Sequence, residues 1–76
     1  MCTTLRINMV ETGKNISRLR KEKGIMIKDI QDEMGFNTPQ AIFKWIRGEA
    51  LPTLDNIIIL SEILSTPVEE IVVLEK

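Results

Sequence analysis

The stretch that most constrains this chain is Gly35-Phe-Asn-Thr-Pro-Gln-Ala-Ile-Phe-Lys-Trp-Ile-Arg-Gly48. It predicts a tight turn followed by one short helix over residues 39–47. Gly35 can end a preceding helix in the left-handed conformation that other residues resist. Thr38 can cap the next helix, Pro39 suits its first helical position, and Gly48 ends it. Between these marks the side chains fall into two stripes. Ile42, Trp45 and Ile46 share one face, and Gln40, Phe43, Lys44 and Arg47 share another. The first stripe wants a core. The second offers an amide, an aromatic ring and two cations to something outside. A helix of this kind, entered from a short helix through a Gly turn, has the geometry with which a recognition helix enters a DNA major groove. A surface helix of a small bundle, with its polar side chains merely solvated, is the other reading of the same stretch.

The chain has 76 residues. A domain of that size buries only about 60% of its unfolded surface, so marginal stability or a partner is expected. It has one cysteine, Cys2, and no histidine. Those counts exclude an internal disulfide, a Cys/His metal site and a His-based triad. No apolar run is long enough for a membrane span. The N-terminus lacks the layout of a signal peptide, so a cytoplasmic location is expected. Net charge is −1, but unevenly placed. Residues 1–48 carry nine Lys/Arg against five acids, and residues 49–76 carry one Lys against six acids. A basic face towards phosphate with an acidic back would produce this asymmetry, as would chance.

Residues 1–9 alternate loosely and predict an extended arm or short strand. Residues 11–23 predict a first helix, with Ile16 and Leu19 inward and Arg18, Arg20, Lys21 and Lys23 in its second half, where cations suit the helix dipole. Residues 27–34 predict a second helix on Ile27, Ile30 and Met34, with Met26 a poor cap. Thr53 can cap a fourth helix over 54–64, which is apolar nearly all round. So small a domain cannot bury every face of it, and the excess points to a partner. Thr66-Pro-Val-Glu69 has the pattern of a capping box and opens a last helix over 67–73. Val73 and Leu74 can pair as a strand or pack across a dimer.

Taken in order, Ile16-Ser-Arg-Leu-Arg-Lys-Glu-Lys-Gly24, the Ile30–Gly35 segment, Ile42-Phe-Lys-Trp-Ile-Arg-Gly48, Pro52 with the apolar fourth helix, and the Pro67 helix make a specific set. The chain resembles the phage-repressor and Cro-type (xenobiotic-response-element-like) helix-turn-helix DNA-binding domains over about residues 10–73. The resemblance implies an all-α, compact five-helix lambda-repressor-like domain at 10–76, with the extended arm or terminal strand at 1–9. It also marks departures. Met26 and Ile27 stand where the family often has Ser and a phosphate-contacting Gln, leaving Lys28 to replace that contact. Gln31 stands in place of a small residue, which would loosen helix packing. Ile46 stands in place of a Glu that pairs with the helix-one Arg, so Arg20 must find water, another acid or phosphate. The turn between helices two and three is one residue longer than the common pattern. Glu49 lies where a cation would help.

The function implied is sequence-specific double-stranded DNA binding by a small transcriptional regulator, a repressor, with helix 39–47 in the major groove. Gln40 is the first choice for a base contact, because an amide can bond bidentately to adenine. Lys44 can reach guanine or phosphate. Phe43 can touch a thymine methyl or pack half-buried. Thr38, Lys28 and Arg47 are expected on phosphate, with Thr53 and Asn56 adding contacts from the fourth-helix N-terminus. A homodimer through Ile59, Leu60, Ile63, Val73 and Leu74 would double the base contacts on half-sites roughly 10 bp apart. No cofactor, metal or small-molecule ligand is expected, and no nucleophile–base pair or phosphate loop suggests an enzyme. The rival is a protein-interaction module, or an antitoxin-like partner, that has weakened or lost DNA binding. The acidic second half and the apolar fourth helix favour that rival.

Overall fold

The computed structural model describes residues 6–75. Residues 1–5, which carry most of the expected arm and Cys2, lie outside the described residues. Five helices follow in order, α1 (Met9–Glu22), α2 (Ile27–Met34), α3 (Gln40–Arg47), α4 (Leu54–Leu64) and α5 (Val68–Ile71). Strand β1 (Arg6–Ile7) precedes them and β2 (Leu74–Glu75) closes the chain. The strands pair antiparallel, Arg6 opposite Glu75 and Ile7 opposite Leu74. Arg6, Ile7 and Leu74 thus take the strand that the alternation of the arm and the apolar tail allowed.

Helix α1 begins two residues before the expected start. Asn8 caps it, its Oδ1 accepting from the Glu11 N–H at 3.0 Å. The loose alternation of residues 5–9 hid that cap. The same helix ties down the C-terminal segment. The Val73 N–H donates to Thr12 Oγ1 at 2.9 Å, and Asn15 Nδ2 donates to the carbonyls of Glu70 and Ile71 at 2.7 and 3.0 Å. Buried Thr12 thus satisfies a backbone donor in a place where an orphan would be costly.

The core is Ile16, Leu19, Ile30, Ile42, Trp45, Ile57, Leu60, Leu64 and Ile71. Leu60, expected on the dimer surface, is fully buried. A helix apolar all round carries no periodicity to say which side faces in, and here the inward side is Ile57, Leu60 and Leu64. The most exposed apolar side chains of α4 are Leu54 and Ile58, at 78% and 53%.

The expected capping box of the last helix does not form. Thr66 is buried and its hydroxyl donates to the Leu64 carbonyl at 2.9 Å, which leaves Pro67 at the cap position. With no side-chain cap, α5 spans only Val68–Ile71 rather than 67–73. At α2 the weak cap Met26 is rescued from the other side. Asp29 accepts from the Met26 N–H at 2.9 Å, which is the reciprocal half of a capping box.

Candidate nucleic-acid interface

Helix α3 is held by its inner face and by both ends. Ile42 and Trp45 are buried, and the Trp45 indole meets the Phe36 ring edge-on with centroids 6.0 Å apart. Gly35, at φ +73°, turns the chain out of α2, while the Gly35 and Phe36 N–H groups bond back to the carbonyls of Asp32 and Gln31. Gln31 also fastens this corner. Its side-chain amide donates to the Phe36 carbonyl at 3.3 Å, closing the turn from the helix side.

Helix α1 lies across the back of α3 at Gly13, a position with no local signal in the sequence. A Cβ on Gly13 would sit 2.5 Å from the Ile46 carbonyl oxygen and closer still to that of Trp45. Only a hydrogen fits between the two backbones. Ile46 lines a groove with Lys14, Ser17, Arg18, Lys21 and Glu22 of α1, where it is the one apolar side chain in a charged seam. Among the described residues Arg20 pairs with no acid. Its guanidinium donates to the Ile25 carbonyl at 3.1 Å, and its Nε is buried without a partner.

The outer stripe of α3 stands free of this framework. Gln40, Phe43, Lys44 and Arg47 are all exposed. Phe43 lies outside the packed core, with 39% of its surface open. Asn37, Thr38, Gln40 and Lys44 line one notch at the α2–α3 corner. Asn37 was not singled out from the sequence, and only its place in the turn ahead of the helix could have marked it. Thr38 is less of a cap than expected. Its Oγ1 lies 3.5 Å from the Gln40 N–H, and Pro39 stands at the cap position, its carbonyl accepting from the Phe43 N–H at 3.1 Å. The Thr38 hydroxyl is therefore nearly unspent, facing outward beside Gln40.

The remaining cations and donors are already engaged to different degrees. Lys28 pairs loosely with Asp32 at 3.6 Å, both largely exposed. Arg47 is gripped by Glu49 through two bonds, Nε to Oε2 at 2.7 Å and a terminal nitrogen to Oε1 at 3.4 Å. This bond holds the Glu49 carboxyl below the usual carboxylate range and raises the Arg47 guanidinium. Because the folded carboxyl is the stronger acid, the pair is intact above the ordinary carboxylate pKa and is lost as pH falls through the lowered one. At the α4 N-terminus, the Thr53 hydroxyl does not cap the helix but donates to Asp55. That hydroxyl, then backbone N–H groups of Asn56 and Asp55, hold the Asp55 carboxyl below its usual range. An anion approaching Thr53 and half-buried Asn56 therefore meets a carboxylate already in place.

The expected dimerisation residues are scattered. Ile59 is exposed, Ile63 and Val73 are half-buried, and Leu74 is exposed in β2. Beside them an apolar trough runs between Ile7 and Leu74 of the sheet and Leu51, Pro52 and Leu54 at the start of α4. Among the described residues no group of His, Cys, Asp or Glu is placed to hold a metal ion. Nor is any helix there long and apolar enough to cross a membrane.

The restriction-modification controller protein C.AhdI from Aeromonas hydrophila superposes with a TM-score of 0.73 at 24% identity, over 83% of this chain and 94% of that one. The DNA-binding domain of BldD superposes with a TM-score of 0.71 at 15% identity, over 87% of this chain and 94% of its own. At these identities the likeness is one of fold. No curated protein gives a significant match. The helix-turn-helix family model matches residues 16–71, from the middle of α1 to the end of α5. The chain belongs to the helix-turn-helix family, in its Cro/C1-type branch.

Proposed function

We propose that the chain is a sequence-specific double-stranded DNA-binding transcriptional regulator, acting as a repressor in the cytoplasm, with α3 in the major groove. The observation that carries this reading is the division of α3. Its inner stripe is locked by Trp45, Ile42 and Gly13, and its outer stripe presents Gln40, Phe43 and Lys44 beside a notch that holds Asn37 and Thr38. A rigid helix with an unspent amide and cation on its outward face suits base reading. Gln40 and Lys44 read base edges, and Phe43 contacts a thymine methyl. Thr38, Lys28 and Arg47 hold phosphates and fix register. Thr53 and Asn56 join them only where Asp55 gives way.

Two copies supply enough base contacts for a pseudo-palindromic operator. Ile59, Ile63, Val73 and Leu74 contribute to the dimer, with Leu54 and Ile58 extending its apolar surface. The test is selection from a pool of random duplexes by the purified chain at two salt concentrations, followed by sequencing. An enriched inverted repeat whose retention falls steeply with salt is the expected result. Retention without any enriched motif would remove the sequence-specific part of the reading.

Two substitutions separate the roles. Gln40→Ala should cost about 1–3 kcal/mol on the selected duplex and relax one base position. An equal loss on every sequence would take Gln40 out of base reading. Lys28→Ala should weaken binding evenly on all sequences and flatten the plot of log K against log salt by about 0.9. An unchanged slope would take Lys28 off the phosphate set.

A second reading is favoured by the exposure of Leu54 and Ile58 beside the apolar trough and by the engagement of Arg47 by Glu49. In it, the domain serves as a protein-interaction module with residual or no DNA affinity. The same selection separates the two, since such a module retains no duplex even at low salt, or retains duplex with no enriched motif.

A further inference from the structure

The C-terminal end of α3 carries an anion where a helix dipole disfavours one. Glu49 is not there loosely. Gly48 adopts φ +77°, its N–H bonds to the Trp45 carbonyl at 3.1 Å, and the Glu49 N–H bonds to the Lys44 carbonyl at 2.9 Å. These two bonds form a Schellman closure that folds residue 49 back over the last turn. The turn is itself pinned, because a Cβ at Gly48 would lie 2.8 Å from the Val10 Cα. From that anchored backbone the Glu49 carboxylate reaches the Arg47 fork with both oxygens. The partners remain about half exposed, at 52% and 53%.

We infer that Glu49 is an internal stand-in for a DNA phosphate: it occupies the Arg47 guanidinium in the free protein, and Arg47 engages the duplex by exchanging that carboxylate for a backbone phosphate. The inference rests on the DNA-binding reading above. A guanidinium presents the same planar pair of donors to a carboxylate as to a phosphate, so one partner excludes the other. The exchange is feasible because an exposed pair is held weakly. It has a thermodynamic signature. A free Arg that neutralises a phosphate releases about one cation condensed on the DNA, whereas the Glu49 carboxylate displaced from Arg47 stays near the phosphates as an uncompensated negative charge and keeps a cation there. Glu49 therefore attenuates affinity for all duplexes alike, since a phosphate contact carries no sequence information.

The experiment is a double-mutant cycle on the full chain. Wild type, Glu49→Gln, Arg47→Gln and the double variant are titrated with one generic duplex across a salt series. Glu49→Gln should bind about two- to fivefold tighter near 0.1 M salt, the strength of an exposed pair. Its salt slope should steepen by about 0.9. In the Arg47→Gln background the same change should give a clearly smaller gain, because it then relieves only the repulsion between Glu49 and the phosphates and no pair has to break. A gain undiminished without Arg47 would make Glu49 a merely repulsive charge and overturn the exchange. Wild-type binding that Glu49→Gln leaves unchanged would overturn it too, with the DNA-binding reading intact. No binding by any of the four at low salt would remove both.

Discussion

Trp45→Ala should strip about 3–5 kcal/mol from the stability of this chain. The indole is 3% exposed, packs edge-on against Phe36, and belongs to the same core as Ile16, Ile42 and Leu60. Truncating a buried Trp to Ala costs about 3–5 kcal/mol, the lost transfer energy plus the cavity left behind. A domain of this length has a total stability on the order of 4–11 kcal/mol. The loss is therefore a large share of the whole. Urea denaturation followed by circular dichroism measures it, since the substitution removes the only indole fluorophore. A midpoint within a small margin of wild type would mean that Trp45 is not the keystone of α3. Phe43→Ala is the contrast on the same helix. Its ring lies outside the packed core, so stability should change little while DNA affinity falls.

Gly13→Ala should destabilise the fold by about 1–3 kcal/mol, against the general rule for helices. In an ordinary helix interior, Gly to Ala gains up to about 1 kcal/mol from backbone propensity. Here the new methyl would meet the Trp45 and Ile46 carbonyl oxygens, and neither can turn aside because both belong to the backbone of α3. The helices must separate, which opens the seam around Ile46 and shifts the outer stripe relative to Lys28. The folded fraction of the variant should therefore also bind DNA more weakly than wild type. Thermal denaturation alongside duplex titration reads both effects. Lys14→Ala, one residue on but pointing to solvent in an exposed pair with Glu11, should change the melting temperature little. A Gly13→Ala variant more stable than wild type would show that α1 and α3 have room to spare.

The parts of the fold legible in the sequence are those governed by local chemistry. Gly35 and Gly48 both take the left-handed conformation their positions called for, and they set the ends of α2 and α3. The stripe pattern placed Ile42 and Trp45 inside, with Gln40, Phe43, Lys44 and Arg47 outside. What stayed hidden depends on contacts distant in sequence. Gly13 reads as a weak point in a helix until α3 is laid against it. Thr66 reads as a cap until its burial turns the hydroxyl back to Leu64. Helix α4 carries no phase at all, so Leu60 reads as outward although Leu54, Ile58 and Ile59 are the exposed apolar residues. The Arg47–Glu49 pair was also out of reach. Residues two apart do not face one another on a continuing helix, and only the reversal at Gly48 brings them together.

On the reading proposed above, the outer face of α3 is the surface that meets DNA. Amide chemical-shift mapping of the isotope-labelled chain, titrated with a duplex at low salt, locates the surface that responds. The expected perturbations centre on residues 37–47 and on the N-terminal turn of α2 around Lys28. The exposed side of α4 at Leu54 and Ile58 should move little beyond any change in oligomeric state. Perturbations confined to α4, α5 and the terminal sheet, with the α3 amides unmoved, would contradict the claim and assign α3 to another role.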